Sequence, residues 1–362
     1  MVGSSTLDTA ADVGQMKPQP KTIMGIVKER KPWIDIAKGI LILFVLLGHV
    51  NYFAHDFAGT DSFKFVAASH IVFITWYMPA FFVVTGYCTN FEIPFADFLK
   101  KNLKSLIVPS ILIGVLLSSW LSKFLSAEGL SYRNFLDQDW PGILITCGPW
   151  FLTALFVAKI VMYGILKYVR CRNVWKFLLL MLLMLIGCSL YNKKVVTNLW
   201  YFEHALMLLP FLYTGILLRE HKPRRHEDAI ILTLGGAFLA LAIMMKHLET
   251  GLPYPYIVGI PGVFWGNFWL CVLMGVSGSL SLLVICKKIG RCGWLEYLGR
   301  HTITIYLLQE CVMVALLRGY MQCRIDLPKV IVVVAMIIGT AFICAAIDEL
   351  IDRHAKVLKG KF

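Results

Sequence analysis

Trp33 to Val50 reads WIDIAKGILILFVLLGHV. Between Lys38 and His49 every residue is apolar or glycine, and the run approaches the length that crosses a hydrocarbon core of about 30 Å. Such a segment is helical, because backbone groups facing lipid must hydrogen-bond within their own segment. On a helix, Lys38 and His49 return to nearly the same face, about 16 Å apart along the axis. Asp35 stands about one turn before Lys38 on that side. One stripe thus carries a carboxylate, a cation inside the span and a histidine near its far end. Ionisable groups within a span are costly and ordinarily face an interior cavity. An Asp35–Lys38 pair reaching to one headgroup layer, with His49 at the other interface, would explain each residue singly; three on one stripe favour a site.

Nine further apolar runs follow, near 66–89, 104–124, 143–166, 174–190, 203–218, 229–246, 263–286, 298–318 and 328–349. The sequence therefore predicts an all-α polytopic membrane protein with about ten transmembrane helices. Composition agrees: 58% of residues are hydrophobic and 16% charged, against about 25% charged in soluble domains, and the mean hydropathy is +0.70. A net charge of +13 would suggest nucleic acid in a soluble protein. Here the basic residues gather in alternate loops instead. With the N-terminus inside, 24 of the 35 lysines and arginines fall on the cytoplasmic side and nine on the other. That asymmetry encodes orientation, places both termini in the cytoplasm, and makes the lipid bilayer, not nucleic acid, the expected partner.

Residues 1–32 read as a disordered cytoplasmic leader, since no apolar stretch with a small-residue cleavage site marks a signal peptide. Residues 33–352 form the membrane domain and 353–362 a basic cytoplasmic tail. The ten cysteines show neither a CxxC pair nor zinc-type Cys/His spacing, so they read as small buried hydrophobes and no metal is expected. The segments Asn51–Phe65, Lys123–Pro141 and Lys246–Gly262 are polar and aromatic, suited to wall an outward-facing site.

The run WIDIAKGILILFVLLGHV resembles the first helix of the acyltransferase 3 family of integral membrane acyltransferases, and is closest to its fucose 4-O-acetylase-like branch. The family pattern there is Arg or Lys, ten residues, then His, which Lys38 and His49 fit. Met78-Pro79-Ala80-Phe81-Phe82 with Thr85-Gly86-Tyr87, Pro149-Trp150-Phe151-Leu152, Pro210-Phe211 with Gly215, and Leu298-Gly299-Arg300-His301-Thr302 to Tyr306 resemble further family segments in the family's order. The departures are Tyr77 and Gln309, where many members carry His, and Thr85 in place of Ser. Each of these positions suits either acceptor hydrogen bonding or core packing.

The resemblance implies transfer of an acyl group, commonly acetyl, from cytoplasmic acetyl-CoA or another acyl-CoA to a carbohydrate hydroxyl on the far side. The acceptor would be a surface polysaccharide or its lipid-linked precursor, and the location a bacterial inner membrane. A neutral imidazole can take the proton of an attacking hydroxyl, and His49 is the best-placed such group; alternatively, His49 is itself acylated in a two-step route. Lys38 would hold the donor's carbonyl or pantetheine region, or balance Asp35. Lys100, Lys101, Lys104, Arg291 and Arg300 are the candidates for the CoA phosphates. Gly299-Arg300-His301-Thr302 also opens a span at its inner end, where free N–H groups favour an anion.

Glu203 and His204 stand at an outer helix mouth, suited to acceptor binding and equally to a solvated helix start. Trp150 suits stacking on a sugar ring, although an interfacial aromatic belt is the commoner reason for Trp at a span end. Glu310 lies mid-span without a specific role. The rival reading is a transporter or flippase of a lipid-linked sugar.

Overall fold

In the computed structural model the described residues are 30–58, 64–125, 142, 145–192, 199–222, 226–247, 268–323 and 327–361. The leader, residues 1–32, lies outside them except for its last three. Much of the three expected outer walls lies outside them too, although the first helix continues through Asn51 to Ala58.

Eleven helices of eight residues or more follow one another among the described residues: α1 (Pro32–Ala58), α2 (Lys64–Cys88), α3 (Phe95–Lys123), α4 (Trp150–Tyr168), α5 (Asn173–Asn192), α6 (Phe202–Glu220), α7 (Glu227–His247), α8 (Phe268–Ile289), α9 (Gly293–Arg300), α10 (Thr302–Cys323) and α11 (Lys329–His354). No strand occurs among these residues. Eight of the helices are long and apolar enough to cross a membrane. The other long ones, α2 and α7, have 25 and 21 residues. Each expected span therefore has its helix, and the chain is an all-α polytopic membrane protein.

Two elements differ from the sequence reading. The third span begins at Phe95 instead of near 104, because its first turns carry Lys100 and Lys101 on an amphipathic surface. It is also π-helical over Leu103–Ile107 and Ser110–Ser119. The run near 298–318 divides into short amphipathic α9 and membrane-spanning α10, with a break at His301.

Helix α1 is the hub, packing against α2, α8, α9, α10 and α11. Its Ile36, Leu41, Ile42, Val45 and Leu46 are at most 4% exposed. Lipid tails are as apolar as these side chains, so close van der Waals packing, not escape from water, holds the spans together. Small residues make that possible. At the α2–α6 crossing, a β-carbon on Gly86 would strike the carbonyl of Leu212, and one on Gly215 would strike the carbonyl of Val83. Where α9 crosses α1, Gly299 lies against the Asp35 carbonyl and Gly39 against that of Leu295.

The basic segment after α11 is folded back onto the domain. Asp348, 1% exposed, receives His301 Nδ1 at 2.5 Å, Lys359 Nζ at 2.8 Å and the Thr304 hydroxyl. Lys359 and Lys361 both reach Asp352 at 2.7 Å. Gly360 packs on the backbone of Lys104.

Candidate active site

His49 lines a cavity of about 450 Å³ at the end of α1 that the charge pattern assigns to the outer side. Four other parts of the chain meet it there. The π-helical turns of α3 bring Gly114 and Ser119, followed by Lys123; the entry to α4 brings Gly148, Pro149 and Trp150; the turn before α6 brings Tyr201; α10 brings Tyr306, Gln309 and Glu310. Wide π turns are rare and recur at functional sites. The Ser119 hydroxyl donates to the Gly114 carbonyl at 3.0 Å, closing one such turn beside the cavity.

Both loops at the cavity edge carry left-handed backbone. Cys147 has φ 56°, followed by Gly148 at 109°, and Trp200 and Tyr201 have φ 50° and 49°. For a residue with a β-carbon this costs about 1–3 kcal/mol and persists only where the surroundings impose it. The imposed geometry aims Trp150 and Tyr201 at the cavity. Thr153 holds the first loop by donating its hydroxyl to the Cys147 carbonyl at 3.2 Å, and the Phe151 N–H donates to Tyr306 Oη at 3.4 Å.

Glu203 and His204 are 1% and 5% exposed, so neither is a solvated helix start. They lie a layer behind the wall. The rings of Trp150, Tyr191 and Tyr201 pack around His204 with centroids 5.6, 5.2 and 5.5 Å away, and Glu203 Oε1 is 3.2 Å from His204 Nδ1. They support the two aromatic residues that line the cavity. Tyr77 is buried and stacks on Phe44 of α1 at 6.4 Å, and does not line the cavity.

The donor-side candidates assemble separately, toward the other end of α1. Lys159 of α4 donates to Asn102 at 3.0 Å and lies within electrostatic reach of Lys101 and Lys38. Asp35 is buried at the α1–α9 crossing, next to the close approach of Gly299, which sets exposed Arg300 beside the start of α1. Arg291 is exposed at the entry to α9, and Lys104 is half-buried against the returning tail. Lys38 does not line the His49 cavity. Along the stripe between them, Leu41, Ile42 and Val45 are packed shut.

A basic cluster thus lies toward one end of the hub helix, and a cavity lined by His49, Lys123 and Glu310 at the other. A family model, described as an acyltransferase domain, matches residues 31–349. The chain belongs to the acyltransferase 3 family. Comparison with curated proteins and with solved structures gave no match. The protein is thus a multi-pass membrane acyltransferase, and family membership takes the reading away from a transporter.

Glu310 is a cavity residue that sequence reasoning left without a role, and Gln309 one for which it offered acceptor hydrogen bonding or core packing. Glu310 hydrogen-bonds Ser122 and lies in the field of Lys123. A carboxyl placed mid-span was the available signal.

Proposed function

We propose that this acyltransferase moves an acetyl group from cytoplasmic acetyl-CoA to a hydroxyl of a carbohydrate acceptor, with His49 as general base. The observation that carries the reading is the position of His49 on a cavity of about 450 Å³, within the size range of small-molecule sites, walled by Trp150, Tyr201, Tyr306, Gln309 and Glu310. Aromatic faces with a few convergent polar groups suit a sugar ring.

In the reaction, the acceptor oxygen attacks the thioester carbonyl as His49 takes its proton. The new C–O bond forms, the C–S bond breaks, and the proton passes to the departing CoA thiolate. The basic cluster of Lys38, Lys101 and Lys159, with Lys104, Arg291 and Arg300 on the same side, supplies charge for the anionic donor. The close approach of Gly299 to the Asp35 carbonyl holds the α1–α9 crossing that carries Arg300. A bacterial inner membrane, with the acceptor a surface polysaccharide or its lipid-linked precursor, is the setting this chemistry implies.

The test is label transfer. The full chain in lipid nanodiscs is incubated with radiolabelled acetyl-CoA and glycans. Label is expected in the glycan, and His49→Ala is expected to lose about 100-fold or more in kcat while inserting and melting normally. Near-normal turnover in that variant would remove His49 from the chemistry. Label retained on the wild-type protein at His49 would replace direct transfer by an acyl-imidazole route.

A further inference from the structure

More than nine in ten buried polar groups find a hydrogen-bond partner, so an exception needs a reason. Of the buried side-chain atoms without a partner among the described residues, Gln309 Oε1 is the one whose residue lines the His49 cavity. Gln309 is 4% exposed, too enclosed for bulk water to compensate it. It stands one turn after Tyr306 on α10, and Glu310 is its neighbour on the same cavity face. Tyr306 Oη already accepts the Phe151 N–H at 3.4 Å, which leaves the phenol hydrogen to give. A cavity that offers an unused carbonyl acceptor beside a phenol donor is complementary to a hydroxyl, which both donates and accepts.

We infer that Gln309 is the specificity-determining residue of the acceptor site, its Oε1 receiving a hydrogen bond from a hydroxyl other than the one being acylated. This rests on the carbohydrate-acceptor reading and deepens it: the cavity engages a second hydroxyl of the acceptor besides the one that attacks. A site built to pair a substrate hydroxyl rejects the analogue lacking it, because the protein's buried group is then stranded.

The probes are methyl galactoside, each of its monodeoxy analogues, and cyclohexanol as a monohydroxy control, assayed with radiolabelled acetyl-CoA on the full chain in nanodiscs. One deoxy analogue loses the attacking hydroxyl and all transfer. A second is expected to lose about 10- to 100-fold in kcat/KM with the wild-type protein, and to show no such penalty with Gln309→Met. The variant is expected to keep the wild-type KM for acetyl-CoA, since Gln309 lines the His49 cavity and not the donor side. Identical deoxy ratios in wild type and variant would overturn the assignment, as would a fall in melting temperature with a rise in acetyl-CoA KM, which marks a structural glutamine. Cyclohexanol serving as well as the galactoside in the wild type would also overturn it. Wild-type protein that acetylates none of the sugars fails earlier, at the proposed acceptor class, and that result is distinct from a failure at Gln309.

Discussion

Gly86 and Gly215 face one another across the crossing of α2 and α6, each occupying ground where a β-carbon would collide with a carbonyl of the opposite helix. Both lie in segments that mark the family in sequence, Thr85-Gly86-Tyr87 and Pro210-Phe211 with Gly215. Their function is architectural. They let the two backbones touch, and the crossing in turn presents Phe81 and Phe82 to Phe151 at 5.3 and 5.8 Å, behind the Trp150 loop.

Gly86→Val or Gly215→Val is therefore expected to destabilise the protein by about 3 kcal/mol, because the obstacle is backbone and cannot rotate away. Gly164→Ala in α4 is the control. No atom lies within 4 Å of its added β-carbon, and alanine favours the helix. Thermal melting in detergent should show a large drop for the first pair and none for the control.

Gly299 and Arg300 are adjacent but answer differently. Arg300 is exposed, so Arg300→Ala should leave melting unchanged and raise the KM for acetyl-CoA about tenfold, the order of one charge-assisted hydrogen bond. Gly299→Ala pushes α9 off the Asp35 carbonyl and should lower stability and raise that KM together. A stable Gly299→Ala protein with normal kinetics would show that the α1–α9 contact does not position the donor side.

The all-α polytopic architecture was legible because an apolar run near twenty residues has one physical outcome in a bilayer. The Lys38–His49 stripe was legible because helical periodicity alone aligns it. Helix α9 was not, since GWLEYLGR is half polar and its buried side, packed on α1, shows only as an amphipathic pattern. Nor was the π-helical path of α3, where the bonding shift from four residues to five leaves no trace in hydropathy. Glu203 and His204 look solvent-ready at a helix start; only the packing of Tyr191, Tyr201 and Trp150 turns them inward. Gln309 and Glu310 join His49 through the α1–α10 contact, a long-range pairing that a one-dimensional reading does not contain.

The folded-back tail gives a stability prediction. Lys359 is 17% exposed at its side chain and bonds both Asp348 and Asp352. Lys359→Met leaves the buried Asp348 carboxylate with His301 and Thr304 but removes its lysine counter-charge, and should cost about 3 kcal/mol. Removing residues 356–362 should cost at least as much, because Gly360 also leaves its seat on Lys104. Equal melting temperatures for the full-length and shortened proteins would show that the tail adds nothing to the fold.

Lys38 and His49 sit at the two ends of a packed stripe about 16 Å long, with Leu41, Ile42 and Val45 filling the space between. Lys38→Met should therefore act on the donor, raising the KM for acetyl-CoA about tenfold and leaving the acceptor KM alone, while His49→Ala acts on kcat. Sites separated by more than about 10 Å without shared partners combine additively. The double variant should thus lose the product of the two single losses in kcat/KM. A coupling above about 0.5 kcal/mol in that cycle would mean that the ends of the stripe act on one another in the reactive state, which requires the Leu41–Val45 packing to open and the donor to draw the two residues into a single site.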